Sequence, residues 1–379
     1  MSPRLLAVID TTQQQHSRLS VASATARTPS PALSLSSAVS MVVPLEYQGG
    51  GHPGTMDTSP DGEWLYKATW YENINDPEYM KDHPELESLM PFIPAYQGWV
   101  ERSSYVRSET PASSRRGSNV SSSHKLGDMV PTYGKDGQIV GYKPNGADKY
   151  TKSIIISNRT HGLRDVTVAD FKLGTRLYGP LAFPEKRARQ DATTAQCTSG
   201  SKGVLYAGGT TWLPSRKCHV ISDDRFSRTL NDDTLANAAA CVFPSIRDLA
   251  LPSEYDVAQE DEQPDLDLEE CREKEQDMLN RTRTALQLLP NLSEAIQTTG
   301  LDYPGTSALI IHGKSVEDGT PKVRLAFVDF AHTHQHDEDM SPDGVLFGIE
   351  STMGIFREQE AVLERSLAAL DDGRKPWNA

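Results

Sequence analysis

DVTVADFKLGTRLYGPLAFPEKRAR, residues 165–189, begins with the alternation of a strand and ends as a basic helix. Val166 to Phe171 reads as a buried strand that runs into Asp170-Phe171-Lys172-Leu173-Gly174-Thr175-Arg176. Asp170 and Lys172 lie two apart in this extended segment, so both side chains leave on one face. Gly174 follows at once and permits a close backbone approach. Pro184 suits the first turn of a helix, which is expected over Glu185 to Gln190. On that helix Lys186, Arg189 and Gln190 fall at i, i+3 and i+4 and share a face, whereas Arg187 points elsewhere, toward solvent. Phe171 to Arg189 holds Lys172, Arg176, Lys186, Arg187 and Arg189 against the single acid Glu185. The whole chain is acidic, with 38 Lys+Arg, 52 Asp+Glu and a formal charge of −14. A basic cluster in such a chain points to a small, highly anionic ligand. Nucleic-acid binding is not expected, because it uses a broad basic footprint.

Each of these features has a plainer reading. An Asp and Lys side by side can be a surface ion pair of little energetic weight. A run of cations on a helix can be a solvated face. Against this, the Asp-x-Lys pair flows directly into Gly174 and a strand end, which favours a site.

Outward from this stretch the periodicities are legible. Gly62 to Lys67 alternates like a strand after a Pro60-Asp61-Gly62 turn. Ser153 to Ser157 is a short buried strand around Ile154-Ile155-Ile156. Leu268 to Leu289 has helical spacing, with Met278, Leu279, Leu286, Leu288 and Leu289 as core candidates. Ala308 to Ile311 and Val323 to Val328 form an expected antiparallel pair joined by GKSVEDGTPK. The second strand ends on Asp329, a carboxylate delivered by a hydrophobic run or a residue that caps a turn. Gly49-Gly50-Gly51 suits a phosphate loop or simple flexibility. Neither a G-x-x-x-x-G-K-[ST] loop nor an H-R-D element occurs, which excludes by motif a P-loop enzyme and a standard protein kinase.

Hydrophobic residues make up 37% of the chain and the mean hydropathy is −0.51, low for a fully packed globule. The missing core is accounted for by three stretches. Residues 1–43 are a Ser/Thr/Pro-rich tail expected to be disordered, residues 108–128 a flexible insertion, and Glu260 to Glu270 an acidic linker. No run is long enough to span a membrane, and the N-terminus lacks the layout of a signal peptide. Cys197, Cys218, Cys241 and Cys271 are scattered without a C-x-x-C pair, as in a reduced intracellular protein of nucleus or cytoplasm without structural zinc. His332, His334, His336 and Asp337 do not have a zinc spacing.

Asp170 to Arg176 resembles the D-x-K-x-G signature of the inositol polyphosphate kinases. Thr306-Ser307-Ala308-Leu309 is similar to their S-S-L-L element, Val328-Asp329-Phe330-Ala331-His332 to I-D-F-A-H, and Asp343 to Gly348 to the closing D-x-G-Y-L-F-G. Gly51-His52 and PDGEWLYK, ending at Lys67, resemble the glycine hairpin and ATP-binding lysine. The landmarks run in the family's order over roughly residues 48 to 357, and their conjunction is specific. EKRAR with TTAQCTSGSKGVLYAGG is most similar to the fungal type of multikinase, with the hexakisphosphate kinases near. Three positions depart from the pattern. Val166 stands for a usual Pro, Thr306 for the first Ser, and Ser157-Asn158 for acidic hinge residues, giving a ribose hydroxyl a neutral and weaker acceptor.

The resemblance implies a two-lobed α+β kinase-like fold of antiparallel sheets with ATP between the lobes. Residues 44–160 would form the ATP-binding lobe and 161–379 the catalytic and inositol-phosphate lobe. It implies Lys67 on nucleotide phosphates, with Ser157, Asn158 and Arg159 beside the nucleotide. Asp329 would hold Mg²⁺ with Ser307 assisting, since a hard ion needs only one carboxylate beside phosphates and water. Asp170 would address the acceptor hydroxyl and Lys172 the moving phosphate. Lys186, Arg189, Gln190 and His332 would grip the substrate's phosphates. The expected activity is ATP-dependent phosphorylation of soluble inositol tris- and tetrakisphosphates. Pyrophosphate formation on the hexakisphosphate is the nearest alternative. A weakly catalytic scaffold, meeting protein partners through the acidic and Ser-rich stretches, is the alternative of another class. No membrane partner is expected.

Overall fold

A computed structural model describes residues 40–45, 55–69, 83–107, 129–133, 139–144, 152–179, 182–214, 217–222, 224–246, 267–330, 332–335 and 342–373, all within the unit Val39–Ala379. The glycine triplet, His52, the 108–128 insertion, Ala331, His336 and Asp337 lie outside the described residues, as do 1–39 of the tail and 260–266 of the linker.

The N-terminal half holds β1 (Ser40–Pro44), β2 (Met56–Thr58), β3 (Trp64–Thr69), β4 (Tyr96–Glu101), β5 (Tyr105–Arg107), β6 (Met129–Tyr133), β7 (Ile139–Pro144) and β8 (Lys152–Ser157). Six of these make one sheet in the order β4-β8-β3-β2-β1-β5, and β6 and β7 pair separately. The pairing is antiparallel except between β1 and β5, which run parallel, one departure from the all-antiparallel expectation. β1 also begins inside the stretch read as tail, because Val42 is fully buried. The turn before β3 is closed by Ser59 and Asp61: the Gly62 and Glu63 amides donate to the Ser59 carbonyl and the Asp61 carboxylate. At Gly62, with φ of +75°, the chain reverses in a left-handed conformation that favours glycine.

The C-terminal half is built on β9 (Leu163–Leu173), α1 (Pro184–Thr194), α2 (Thr198–Lys202), β10 (Val204–Leu213), β11 (Cys218–Ser222), α3 (Asp224–Ser227), α4 (Asn237–Val242) and α5 (Leu268–Thr299). β12 (Leu301–Asp302), β13 (Ser307–Ser315), β14 (Pro321–Val328), β15 (His334–Gln335) and α6 (Asp343–Asp371) complete it. Its antiparallel sheet has the order β11-β10-β9-β13-β14, which makes β9 the central strand. The two faces of β9 serve different ends. Ala169, Phe171 and Leu173 enter the main core with Leu289, Leu292 and Ile296 of α5 and Ile349 and Phe356 of α6. Val166 and Val168 enter a smaller cluster with Ile311 and Ala326, and Asp170 and Lys172 continue that second face.

The helix expected to end at Leu289 runs on to Thr299 through Pro290. Proline removes one intrahelical donor, but Leu292, Ala295, Ile296 and Thr299 keep the buried stripe going, so packing carries the helix past it. Met278, Leu279 and Leu289 are buried as expected, and Leu286 and Leu288 are partly buried against them. The β13–β14 hairpin is longer than its apolar core, since Lys314 still pairs with Pro321.

Candidate functional site

Four of the sequence-assigned residues converge from three strands. β9 supplies Asp170 and Lys172, β3 supplies Lys67, and the end of β14 supplies Asp329. The pairing of Lys172 with Ser307 and of Ser307 with Val328 across β9, β13 and β14 sets these groups side by side. Asp329 sits at φ of +74°, a left-handed conformation that is rare for a residue with a Cβ and is concentrated at functional turns. That backbone turn frees its carboxylate from the strand. One oxygen is hydrogen-bonded and ion-paired to the Lys67 Nζ, and the other lies 3.7 Å from the Lys172 Nζ. The Asp329 side chain remains one-third exposed, at 33%, so the cluster is open to solvent on one side.

Asp170 is 5% exposed and its Oδ1 is buried without a hydrogen-bond partner. Burial pushes its carboxyl above the usual range, against the pull of Lys172. Lys172 is held above its ordinary value, first by Asp170 and, against its own burial, by Asp329. Burial alone would raise Asp329, but Lys67 and Lys172 bring it below the ordinary carboxylate value. Two carboxylates in one cleft are thus pushed apart in acidity, the mark of groups with different tasks. Ser307 is fully buried, accepts from Lys172 Nζ at 3.3 Å and acts on the Asp170 carboxyl to lower it against burial. It therefore links the two signature side chains.

The hinge residues lie between the halves, with their side chains occupied by protein. The Ser157 hydroxyl accepts from the Ala95 amide at 2.9 Å. The Asn158 amide group donates to the Gly62 carbonyl at 2.8 Å, and its oxygen accepts from the backbone and hydroxyl of Thr160 at 3.0 and 2.8 Å. The neutral acceptor foreseen for a ribose is thus engaged in the turn. Arg159 donates to the Pro91 carbonyl at 3.0 Å.

The basic helix α1 starts at Pro184, as read. Lys186 and Gln190 are half-buried: Lys186 Nζ lies 3.4 Å from His332 Nε2, and Gln190 donates to the Leu177 carbonyl at 3.1 Å. Arg189 is exposed, so the structure brings Lys186 and His332 together and leaves Arg189 on the outer part of the face. Arg187 is exposed, and its Nε donates to the Ala182 carbonyl at 2.8 Å. His332 is less basic than an ordinary histidine because of burial, then Lys186 and His334.

One component was not read from sequence. The buried carboxylate of Asp302 pairs with Arg176 of the signature, and His334 Nε2 lies 3.5 Å from the same oxygen. His334 Nδ1 donates to the His332 carbonyl at 2.8 Å, and β12 and β15 pair Asp302 with His334. This clamp ties the signature loop to the loop that carries His332. Its only sequence signal is an acid placed between the apolar Leu301 and Tyr303.

Comparisons with known proteins bear on this site. The family model of inositol polyphosphate kinases matches residues 153–357, more than half of the chain and inclusive of Asp170, Lys172, Lys186, Asp302 and Asp329. An inositol hexakisphosphate kinase 3 of Mus musculus is 25% identical over 218 residues, covering 56% of this chain and 52% of the relative. An inositol polyphosphate multikinase of Schizosaccharomyces pombe is 31% identical over 94 residues, 25% of this chain and 35% of the relative. The chain spans about half the length of the hexakisphosphate kinases it matches. A solved inositol phosphate multikinase of S. cerevisiae, in complex with ADP and Mn²⁺, covers 79% of this chain and 99% of its own at 16% identity and a TM-score of 0.48. With the signature, the Thr306-Ser307 element and the Asp329 turn all inside the matched segment, the chain belongs to the inositol polyphosphate kinase family.

Proposed function

We propose that the protein is an ATP-dependent kinase acting on the hydroxyls of soluble inositol polyphosphates, converting tris- and tetrakisphosphates toward the pentakisphosphate. The observation that carries this reading is the buried, unpartnered Oδ1 of Asp170 beside Lys172, facing a cleft shared with Lys67 and Asp329. Phosphoryl transfer asks a protein for charge neutralisation and positioning more than for covalent chemistry, and this cluster offers both.

The residues present fit a nucleotide and a divalent ion. Asp329, the most acidic carboxylate of the cluster and partly open, would hold Mg²⁺, and Lys67 would release it to take nucleotide phosphates. The bound ion would supply charge neutralisation for the phosphates. Asp170 accepts the proton of the acceptor hydroxyl at its free oxygen, which burial makes more basic. Lys172, oriented by Ser307, stabilises the charge on the phosphate in transfer. Ser307 would assist the ion only from this bridging position. Lys186 and His332 would hold an existing phosphate of the substrate, with Arg189 and Gln190 flanking.

Purified protein with ATP, Mg²⁺ and inositol 1,4,5-trisphosphate should yield tetrakis- and pentakisphosphate over time, and Asp329→Asn should abolish the conversion. If neither this substrate nor the hexakisphosphate turned over, the kinase reading would be lost and the scaffold reading would lead. The longer span of the hexakisphosphate kinase match, 218 residues against 94, favours a second reading, formation of inositol pyrophosphates. A pyrophosphorylated product from pure hexakisphosphate would select it. The nucleus or cytoplasm, and protein partners met through the tail and insertion, belong to the same proposal.

A further inference from the structure

A cavity of about 540 Å³ lies between the 3-10 turn Pro84–Leu89, α5, the edge strand β14 and the hinge. It is separate from the catalytic cleft. Leu325 lines it, and Leu325 and Phe327 belong to the core on the helical side of the sheet. Ala326 and Val328 point the other way, with Val166 and Val168, on the face that β9 continues to Asp170 and Lys172. The sheet therefore stands between the cavity and the reacting groups.

The lining combines an apolar body with two cations. Phe92, Leu288 and Leu325 supply the apolar wall, Asn291 lies on the rim, and two arginines complete the lining: Arg159 from the hinge, and Arg324, which alternates with Leu325 on β14 and reaches the cavity round this edge strand, where its guanidinium holds the Arg159 carbonyl. Arg159 donates to the carbonyls of Pro91 and Leu325, and Arg324 to those of Arg159 and His161. Among the described residues neither arginine has a carboxylate within ion-pair range, and Glu294, the one acid of the lining, pairs with neither. The Nε of Arg159 is buried with no acceptor. Burial, and then the neighbouring Arg324, make Arg159 less basic than an ordinary arginine. Two half-desolvated like charges around an apolar hollow are relieved by an anion that brings its own apolar body. The volume falls within the usual range for small-molecule sites, roughly 300–1,000 Å³.

We infer that this cavity binds a small organic anion, a carboxylate or phosphate monoester on an apolar body, through Arg159 and Arg324. Because Arg324 holds the Arg159 carbonyl, the ligand would sit directly behind the hinge.

The test is calorimetric titration of the full chain with 4-phenylbutyrate, 4-phenylbutyl phosphate and the neutral 4-phenylbutanol, with and without saturating ADP and Mg²⁺. At least one anion should bind tenfold or more tightly than the alcohol, and ADP should not displace it. The tighter of the two anions names the headgroup. Arg324→Gln keeps amide donors for the hinge carbonyls and removes the charge, and it should erase the preference for the anion. Asn291→Trp, at an exposed rim position, should fill the cavity and abolish binding while thermal unfolding stays unchanged. Displacement by ADP, equal binding to Asn291→Trp, or no anion preference in the unaltered protein would each overturn the proposal.

Discussion

At the scale of single residues, the groups around the side chains proposed to react matter as much as those side chains. Asp302 has a side chain only 4% exposed and is the counter-charge of Arg176. Asp302→Asn leaves that guanidinium half-buried and unpaired, a loss of up to about 3 kcal/mol by analogy with other broken buried pairs. Because the clamp also holds the His332 loop, the KM for inositol phosphate should rise about tenfold or more while the KM for ATP holds. Steady-state kinetics in both substrates, with a melting curve, distinguish this from general destabilisation.

His312 lies far from the reacting groups and sets a pH limit on the fold. It is fully buried, stacked on Phe243 at 5.3 Å, accepts from Arg281 and donates to the Val242 carbonyl at 2.6 Å. Burial, and then Arg281, depress its pKa from the ordinary 6.5 to about 3. The unfolded chain thus takes up a proton that the folded one refuses. The contribution to stability is complete above pH 6.5 and is lost as pH falls toward 3, with a slope of up to about 1.4 kcal/mol per pH unit. Urea titrations between pH 7 and 4 should show this slope, and His312→Gln should flatten it.

At the scale of elements, the closing motif is a docking surface for the signature loop. A Cβ on Gly348 would meet the Gly203 carbonyl oxygen at 2.0 Å, and one on Gly344 would meet the Thr175 hydroxyl at 2.7 Å. The first turns of α6 therefore press on the loop that follows Lys172 at Thr175, and on the turn at Gly203, whose carbonyl accepts from the Gly174 amide of that loop. Gly348→Ala must move that backbone, and the expected cost is about 1–3 kcal/mol with a matching fall in kcat. Chemical denaturation and turnover of the same preparation check it.

The elements also show what was legible in the sequence and what was not. β8, β9 and β14 stood out by their apolar runs, and α1 because Pro184 marks its first turn. The continuation of α5 beyond Pro290 was hidden because a local rule about proline lost to a buried stripe that only the folded chain completes. Asp170 and Lys172 could be paired in advance because they alternate in a readable strand, whereas adding Asp329 rested on the family resemblance, since a strand-end Asp otherwise reads as a turn cap. The Asp302 clamp could not, because Arg176, Asp302 and His334 are far apart in sequence and no periodicity connects them. For the hinge, residue types suggested a ribose acceptor, while the backbone of the turn claims the Asn158 side chain.

At the scale of the molecule, the described residues fall in one unit beginning at Val39, and the family match begins at residue 153. Removal of residues 1–38, which lie outside that unit and outside the family match, should therefore leave kcat and melting temperature within about twofold and 2 °C of the full chain. A collapse of either value would assign those residues to the fold or the site. Among the described residues no helix is long and apolar enough to cross a membrane.

The central strand β9 has a consequence in time. Its alternate residues are the middle of the core and two of the groups proposed to react, Asp170 and Lys172, so that part of the site cannot loosen while the core stays closed. Amide protons of Ala169 to Leu173 should exchange with deuterium only through global unfolding, among the slowest in the chain. On heating, the loss of turnover and the loss of structure should then follow one curve, with no warm, folded and inactive state between them.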